Sequence, residues 1–221
     1  MSRLSAVAIT GSLTSPSRSS ALARTVLRAL EGLHSFDSVL FEVASSARSL
    51  GQALHRGEVS ADVEQALLAA EQADVLVVVT PVHRGSFSGL FKHFFDLLDA
   101  KALLEVPVIL GATGGSERHT LILDHALRPL FAFFRAQTVP TCLFATERDF
   151  DADTRPSDAI IARAERAAKQ ATSLLRPPAF RRSDPSYEPA RAESIMDLNS
   201  SLRLVSKREL SRSGELKNEQ R

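Results

Sequence analysis

The chain has 221 residues, of which 44% are hydrophobic, and its formal net charge is +1. This length allows one domain with a well-buried core, and scattered basic residues with so small a net charge argue against a nucleic-acid partner. The single cysteine, Cys142, rules out an intramolecular disulfide and a thiolate metal site, and its apolar neighbours predict a buried thiol. No apolar run reaches the length of a membrane span, and residues 1–13 lack the pattern of a signal sequence, so we expect a cytoplasmic protein without a membrane anchor.

Short apolar runs alternate with longer amphipathic segments along the chain. The predicted strands are residues 4–10, 38–43, 75–80, 106–112 and 139–145. The predicted helices are residues 19–33, 61–73, 88–100, 119–135 and 157–175. Because the strand runs are continuously apolar, both faces of the sheet should be covered, which is typical of parallel sheets. The alternation predicts an α/β fold, a flavodoxin-like three-layer sandwich with a five-stranded parallel sheet of order 2-1-3-4-5.

The character of the sequence changes after residue 176, where prolines and charges become frequent. We expect residues 1–176 to form the folded domain and residues 177–221 to form a charged, proline-containing tail. Four apolar residues of the tail follow a heptad-like spacing over barely two turns: Ile195, Leu198, Leu202 and Val205. The tail is therefore either disordered, which we favour, or a short helix that docks on another subunit.

The loop after the first strand, residues 11–20 (GSLTSPSRSS), is rich in hydroxyl groups and is called the first loop below. In an open parallel sheet, ligands bind beyond the carboxyl ends of the strands, and the helix that follows begins with unpaired N–H groups that favour an anion. The sequence lacks the GxGxxG and GxxxxGK[ST] patterns of dinucleotide and triphosphate sites. Serine hydroxyls and the forked cation of Arg18 suit a phosphate monoester, such as the end group of FMN. The alternative is that the serines only cap the helix and fill a turn.

The second loop, residues 81–88, follows the strand at 75–80. Gly85 permits unusual backbone torsion angles there, and Ser88 is a candidate cap for the next helix. Such a loop is able to follow the edge of a flat ring with its backbone groups. Lys92 and Asp96, four residues apart on that helix, predict a local ion pair.

The third loop, residues 112–117 (ATGGSE), contains two adjacent glycines. Gly114 and Gly115 let the main chain approach a ligand closely and present N–H donors without side-chain bulk. Backbone donors of this kind would tune a reduced flavin, which carries negative charge. A simple turn is the alternative explanation.

Three stretches, in this order and spacing, carry a resemblance to a known family: GSLTSPSRSS, TPVHRGSFSGLFKHFFDLLD and ATGGSERHTLILDHALRPLF. Together they resemble the NADPH-dependent FMN reductase family, and within it the FMN reductases that serve two-component alkanesulfonate and methanesulfonate monooxygenases. The resemblance covers about residues 4–175. It implies FMN and NADPH or NADH as cofactors, and a flavin-dependent monooxygenase as partner.

The resemblance also implies site residues by position. The FMN phosphate would be held by Ser12, Ser17, Arg18, Ser19 and Ser20. The ribityl chain and the ring would be bordered by Pro81, Val82, His83, Arg84 and Ser86, and the isoalloxazine would meet Thr113, Gly114 and Gly115. Many family members have tyrosine where this chain has His83.

A proline stands inside the helical pattern of residues 124–137 (DHALRPLFAFFRAQ). The ring of Pro129 crowds the carbonyl of His125, four residues back, and supplies no N–H group to it. This predicts a helix that is bent or widened into a π-bulge at His125. The resemblance implies an inserted residue at this position, at a subunit interface near the flavin. We expect a homodimer or homotetramer because symmetric assembly is the common outcome for such domains. We therefore assign His125 an interface and flavin-exchange role, with a purely structural histidine as the alternative.

The expected reaction is hydride transfer from reduced nicotinamide to FMN, with supply of reduced flavin to a partner monooxygenase of the sulfonate or organosulfur type. Hydride transfer belongs to the two cofactors, so no catalytic side chain and no metal are expected. The chain has no tryptophan, and its one tyrosine, Tyr187, lies in the tail, which predicts uncovered flavin faces. Three alternatives stay open: a quinone or azo reductase with bound FMN, a flavodoxin-like electron carrier, and a domain that binds another phosphorylated ligand.

Overall fold

The computed structural model describes residues 3–175, so the predictions for the tail lie outside the described residues. The strands are β1 (Leu4–Thr10), β2 (Phe36–Glu42), β3 (Val75–Pro81), β4 (Pro107–Thr113), β5 (Gln137–Thr138) and β6 (Leu143–Ala145). The α-helices are α1 (Arg18–Glu31), α2 (Ala47–Gln52), α3 (Ala61–Glu71), α4 (Gly89–Asp96), α5 (Arg128–Phe133) and α6 (Asp158–Ser173). Among these residues no helix has both the length and the hydropathy that crossing a bilayer requires.

All strand pairs in the sheet are parallel, and the strands lie in the order β2-β1-β3-β4-β5, with β6 also paired to β4. This is the flavodoxin-like order, so the predicted fold is confirmed. β2 lies on one side of β1, and the later strands lie on the other side, beginning with β3, so the strand order changes direction between β1 and β3. The carboxyl ends of these two central strands, and of β4 beside them, therefore form the edge at which such folds bind ligands.

The fifth position of the sheet differs from the prediction of one strand over residues 139–145. It is divided into β5 and β6, which both pair with β4. Pro140 has no N–H group to give to the sheet, and the N–H of Thr141 donates instead to Gln170 Oε1 of α6 at 2.9 Å. The interruption is therefore a consequence of one proline and of a side chain from a distant helix.

The three central strands are apolar at most positions because both of their faces are covered. Ile9 of β1 and Val78 of β3 pack in a core with α2, α3, α4 and α5, whereas Ala8 and Val77 pack in a second core with α1 and α6. Neighbouring residues of a strand point to opposite faces of the sheet, so a strand between two helical layers has no solvent-facing side. This arrangement explains why the strand pattern is continuous rather than alternating.

Two helical predictions need correction. The helix predicted over 88–100 ends as α4 at Asp96, and turns follow it. The short helix α2 was not predicted, because its six residues are too few to show a clear periodicity.

The segment with the internal proline is a helix of mixed type. A 3₁₀ turn (Glu117–His119) precedes a π turn (Leu123–Leu127), and α5 follows directly. The N–H of Arg128 bonds the carbonyl of Leu123, five residues back. The predicted widening at His125 is confirmed, since this residue lies in the middle of the π turn.

Candidate functional site

The three loops meet at the carboxyl edge of the sheet. Ser88 Oγ of the second loop donates to the Gly11 carbonyl of the first loop at 2.9 Å. The N–H of Val82 donates to the Thr113 carbonyl at 2.8 Å, and the side-chain oxygens of Ser19 and Thr113 lie 2.8 Å apart. Every pair of loops is thus joined by a hydrogen bond, so the three loops that the sequence analysis selected are held together at one edge of the sheet.

In the first loop, part of the hydroxyl content is used by the helix itself. Ser17 is the N-cap of α1, and its Oγ accepts the N–H of Ser20 at 3.1 Å and lies 2.8 Å from Ser20 Oγ. Ser12 Oγ donates to the Thr14 carbonyl at 2.9 Å. Ser12 and Ser20 are buried, as is Ser19. The alternative reading of the loop, helix capping, therefore accounts for Ser17 and for part of the bonding of Ser20.

Arg18 is the first residue of α1, and its side chain is exposed. Its Nη2 donates to Glu147 Oε1 in an ion pair. Glu147 begins a 3₁₀ turn (Glu147–Asp149) directly after β6. The sequence analysis missed Glu147, although its place just beyond the carboxyl end of the fifth strand was a usable signal.

The donors at the start of α1 fit a phosphate group. The first N–H groups of a helix have no intrahelical partner, and the first turn of α1 has no acidic residue to weaken its positive end. Thr10 Oγ1, at the end of β1 just before the first loop, is buried without a hydrogen-bond partner among the described residues, which favours a polar group nearby. Serine hydroxyls rotate to suit an acceptor, and the guanidinium of Arg18 adds charge.

The second loop is a tight turn held by its own backbone. The N–H of His83 donates to the Ser86 carbonyl at 2.7 Å, and the N–H of Ser86 donates to the His83 carbonyl at 3.0 Å. Arg84 and Gly85 have positive φ angles of 51° and 83°, so the predicted unusual torsion angles are confirmed. The side chains of His83 and Arg84 are exposed. Ser86 is half-buried, like Pro81 and Val82.

The helix after the second loop follows the sequence prediction at both positions named for it. Ser88 is the N-cap of α4 and accepts the N–H of Phe91 at 3.3 Å. Lys92 and Asp96 form the predicted ion pair. These side chains are therefore used by the helix itself.

The two glycines of the third loop have different roles. A Cβ at Gly114 would lie 2.9 Å from Phe144 Cζ, whereas a Cβ at Gly115 would meet no atom within 4 Å. The N–H of Gly114 also donates to the Ala145 carbonyl at 3.0 Å, which ties the loop to β6. Gly114 is thus required by packing, and Gly115 leaves open space in which a flat ligand is able to approach the main chain.

Phe87 is the one phenylalanine of the three loops, which contain no tyrosine or tryptophan. Its ring packs on Phe91 with centroids 5.7 Å apart, as a half-buried part of the core. Phe144 of β6 packs against the same core. Both rings are therefore anchored by packing against the core.

Two residues singled out by the sequence lie in contrasting settings. His125 is exposed on the π turn. Cys142 is buried, and burial raises the pKa of its thiol, an effect that the charge of Arg128, with Nη2 3.0 Å from the sulfur, only partly opposes. The prediction of a buried core thiol is confirmed.

Comparison with known proteins agrees with this geometry. Residues 4–151 match the model of the NADPH-dependent FMN reductase family. The chain is 50% identical to the NADH-dependent FMN reductase SfnF of Pseudomonas fluorescens over 79% of this chain and 94% of the relative. It is 44% identical to the FMN reductase (NADPH) of Pseudomonas aeruginosa over 76% and 91% of the two chains. The crystal structure of an oxidoreductase from Corynebacterium diphtheriae, 34% identical, covers 78% of this chain and 97% of its own with a TM-score of 0.69.

The site fits the flavin nucleotide that this family uses. The phosphate of FMN suits the serine hydroxyls, the Arg18 charge and the N–H groups at the start of α1. The open space at Gly115 suits the flat ring of the flavin. Since the family model spans the whole site and both relatives align over most of their length, the chain belongs to the NADPH-dependent FMN reductase family, and is an NAD(P)H:FMN oxidoreductase with FMN and a reduced nicotinamide nucleotide as its cofactors.

Proposed function

We propose that this FMN reductase transfers hydride from reduced nicotinamide to FMN and supplies the reduced flavin to a partner monooxygenase that acts on sulfonates or related organosulfur compounds. The observation that carries the proposal is the junction of the three loops, joined pairwise by Ser88–Gly11, Val82–Thr113 and Ser19–Thr113 hydrogen bonds. One sheet edge then offers an anion site and a ring site side by side.

The phosphate end of FMN is assigned to the first loop. The residues proposed to hold it are Ser12, Ser17, Arg18, Ser19 and Ser20. Arg18 is the one formal charge among them and is exposed, so it contributes a charge-assisted contact, while α1 adds its N–H groups and its positive end. Helix capping by Ser17 does not conflict with this role, because a hydroxyl has two acceptor lone pairs besides its donor.

The ring end is assigned to the second and third loops. The residues proposed to border the ribityl chain and ring are Pro81, Val82, His83, Arg84, Ser86, Thr113, Gly114 and Gly115. When bound, FMN supplies the hydride-accepting chemistry, so no side chain is assigned as a catalytic acid or base. Because the Gly114 N–H is used by the Ala145 carbonyl, the Gly115 N–H is the proposed backbone donor of the third loop to the ring, and the turn at His83–Ser86 would supply a backbone edge held by its own hydrogen bonds.

The lack of tyrosine and tryptophan in the three loops favours release of reduced FMN. The three loops hold no tyrosine or tryptophan that would cover a flavin, and their one phenylalanine, Phe87, packs on Phe91. An open ring face leaves room for nicotinamide at reacting distance, and it reduces the contact area that holds the flavin. A flavin held in this way suits transfer to a second enzyme better than permanent electron storage.

Assembly and location are part of the same proposal. A homodimer or homotetramer is supported by two large apolar side chains near His125, Leu121 and Phe133, which are 67% and 69% exposed. His125 is assigned to that interface, with a role in flavin exchange. The proposed organisation is a domain of residues 1–176 with a tail of residues 177–221, in the cytoplasm.

The deciding experiment measures oxidation of NADH and of NADPH by the purified protein, with and without free FMN. We expect oxidation to require added FMN and to saturate with it, and a sulfonate monooxygenase component to turn over when supplied by this reaction. Absence of nicotinamide oxidation with FMN would overturn the proposal. A yellow protein with one flavin per chain that reduces quinone without free FMN would favour the bound-FMN alternative.

The phosphate site has its own test. Arg18→Ala should weaken FMN binding by about 1.5–3 kcal/mol, the usual value of a hydrogen bond to a charged group. Riboflavin, which lacks the phosphate, should bind both proteins equally. Equal FMN affinities of the two proteins would remove Arg18 from the site.

A further inference from the structure

Arg18, the proposed cation for the phosphate, has a carboxylate partner in the structure. Glu147 Oε1 accepts a hydrogen bond from Arg18 Nη2, although 129 residues separate the two in sequence. Both side chains are accessible to solvent, with exposed fractions of 44% for Arg18 and 74% for Glu147. The pair therefore lies at the surface of the anion site and is open to exchange of partners.

The turn that carries Glu147 is fixed by its own hydrogen bonds. Asp149 Oδ2 accepts the N–H of Thr146 at 2.7 Å and the hydroxyl of Thr146 at 2.8 Å. The Asp149 carbonyl accepts the N–H of Ser157 at 2.8 Å, which connects the turn to the start of α6. Glu147 is thus presented beside α1 by a fixed backbone, and its approach to Arg18 does not depend on a loose loop.

A carboxylate and a phosphate are bound by the same groups at the start of α1. Both are oxygen anions that a guanidinium binds, and both are stabilised by the positive end of a helix. A phosphate monoester carries a larger charge, so it competes well, but the negative charge of Glu147 opposes its approach. An exposed ion pair is worth at most about 1 kcal/mol, which sets the size of this opposition at a few-fold in affinity.

We infer that Glu147 is an internal competitor for Arg18 that lowers the affinity of the protein for the phosphate of FMN and so promotes flavin release. The inference rests on the proposed function, because it takes the first loop as the phosphate site. The opposite role, in which Glu147 orients Arg18 toward the phosphate, predicts the opposite sign. The sign of the effect of removing the charge therefore distinguishes the two roles.

The experiment measures the dissociation constants of FMN and riboflavin for the wild-type chain, Glu147→Gln, Arg18→Ala and the double variant, at low salt. A matched control is Asp153→Asn, which removes the same charge from the same segment at a residue paired with Arg155. Glutamine keeps the shape of Glu147, and neither Thr146 nor Asp149 is altered, so the turn is retained.

We expect Glu147→Gln to tighten FMN binding by about two- to fivefold, to leave riboflavin binding unchanged, and to have no effect once Arg18 is alanine. The gain should shrink in 1 M salt, where charges are screened within about 3 Å.

Unchanged or weaker FMN binding by Glu147→Gln, with a loss in Arg18→Ala, overturns this inference and leaves the phosphate site standing. The same gain in Asp153→Asn also overturns it. An Arg18→Ala variant that binds FMN normally overturns this inference and removes Arg18 from the phosphate site, while the proposed reductase function is tested separately by nicotinamide oxidation.

Discussion

The side-chain oxygens of Ser19 and Thr113 lie 2.8 Å apart and are buried, although 94 residues separate them in the chain. Ser19 is in the first turn of α1, and Thr113 ends β4. The contact fixes the start of α1 against the third loop. It thereby sets the distance between the proposed phosphate site and the proposed ring site.

Thr113→Val should remove this hydrogen bond without changing the volume of the side chain. Ser19 would keep a buried hydroxyl without its partner, so we expect a loss of about 1–3 kcal/mol in the free energy of unfolding, measured with urea, together with weaker FMN binding. Thr172→Val is the control, since that hydroxyl bonds only the Lys169 carbonyl of its own helix. Equal losses in the two variants would show that the Ser19 contact has no special value.

Gly11 and Gly115 offer a matched pair of alanine substitutions. A Cβ at Gly11 would lie 2.7 Å from Phe91 Cδ2 and 2.8 Å from Thr80 Oγ1, whereas Gly115 has open space. Because Phe91 is fully buried, Gly11→Ala should destabilise the fold by about 1–3 kcal/mol through overpacking. Gly115→Ala should leave the free energy of unfolding within about 0.5 kcal/mol.

The same pair tests the ring site. If the backbone at Gly115 approaches the flavin, a methyl group there should weaken FMN binding while the fold stays intact. Fluorescence titration with FMN measures this effect. Normal FMN affinity in Gly115→Ala would place the ring elsewhere.

Acid stability should depend on the bond between Ser46 and Asp62. Burial acts to raise the pKa of Asp62, but hydrogen bonds to its carboxylate, with that from Ser46 first among them, outweigh burial, and the pKa is lowered. A lowered folded-state pKa gives stability that is present above the ordinary aspartate value of about 3.9 and is lost as the pH falls through the folded-state value. Ser46→Ala should therefore cost about 1 kcal/mol at neutral pH, and less as the pH drops below 4.

Ser45→Ala is the control for this pH dependence, because Ser45 Oγ donates to the Glu42 carbonyl, which does not titrate. Urea unfolding of both variants from pH 7 to pH 3 gives the comparison. A Ser46→Ala penalty that stays constant over this range would contradict the assigned role of Asp62.

Deleting His125 tests the π turn. Removal of one residue should convert the Leu123–Leu127 turn into regular α-helix and rotate the exposed side chains that precede it relative to α5. We expect a smaller assembly by light scattering and tighter retention of FMN on gel filtration. His119→Ala, at an exposed position before the turn, is the control. An unchanged assembly mass in the deletion variant would remove His125 from the interface.

Local patterns in the sequence determined most of the architecture. The apolar run at residues 4–10 coincides with β1, because a strand covered on both faces is built mostly from apolar residues. The widening at His125 followed from the ring of Pro129, which acts on the carbonyl four residues back. Such effects operate within a few residues, so they are readable without the fold.

Contacts between distant segments were decided only by the tertiary structure. The division of the fifth strand needed Gln170 of α6 to take the N–H of Thr141. The pairing of Arg18 with Glu147 depends on where the turn after β6 lies relative to α1. The hydroxyl-rich loop and its arginine were visible in the sequence. The sequence did not show that Glu147 would pair with Arg18, because the fold decides which side chains come close enough to form a hydrogen bond.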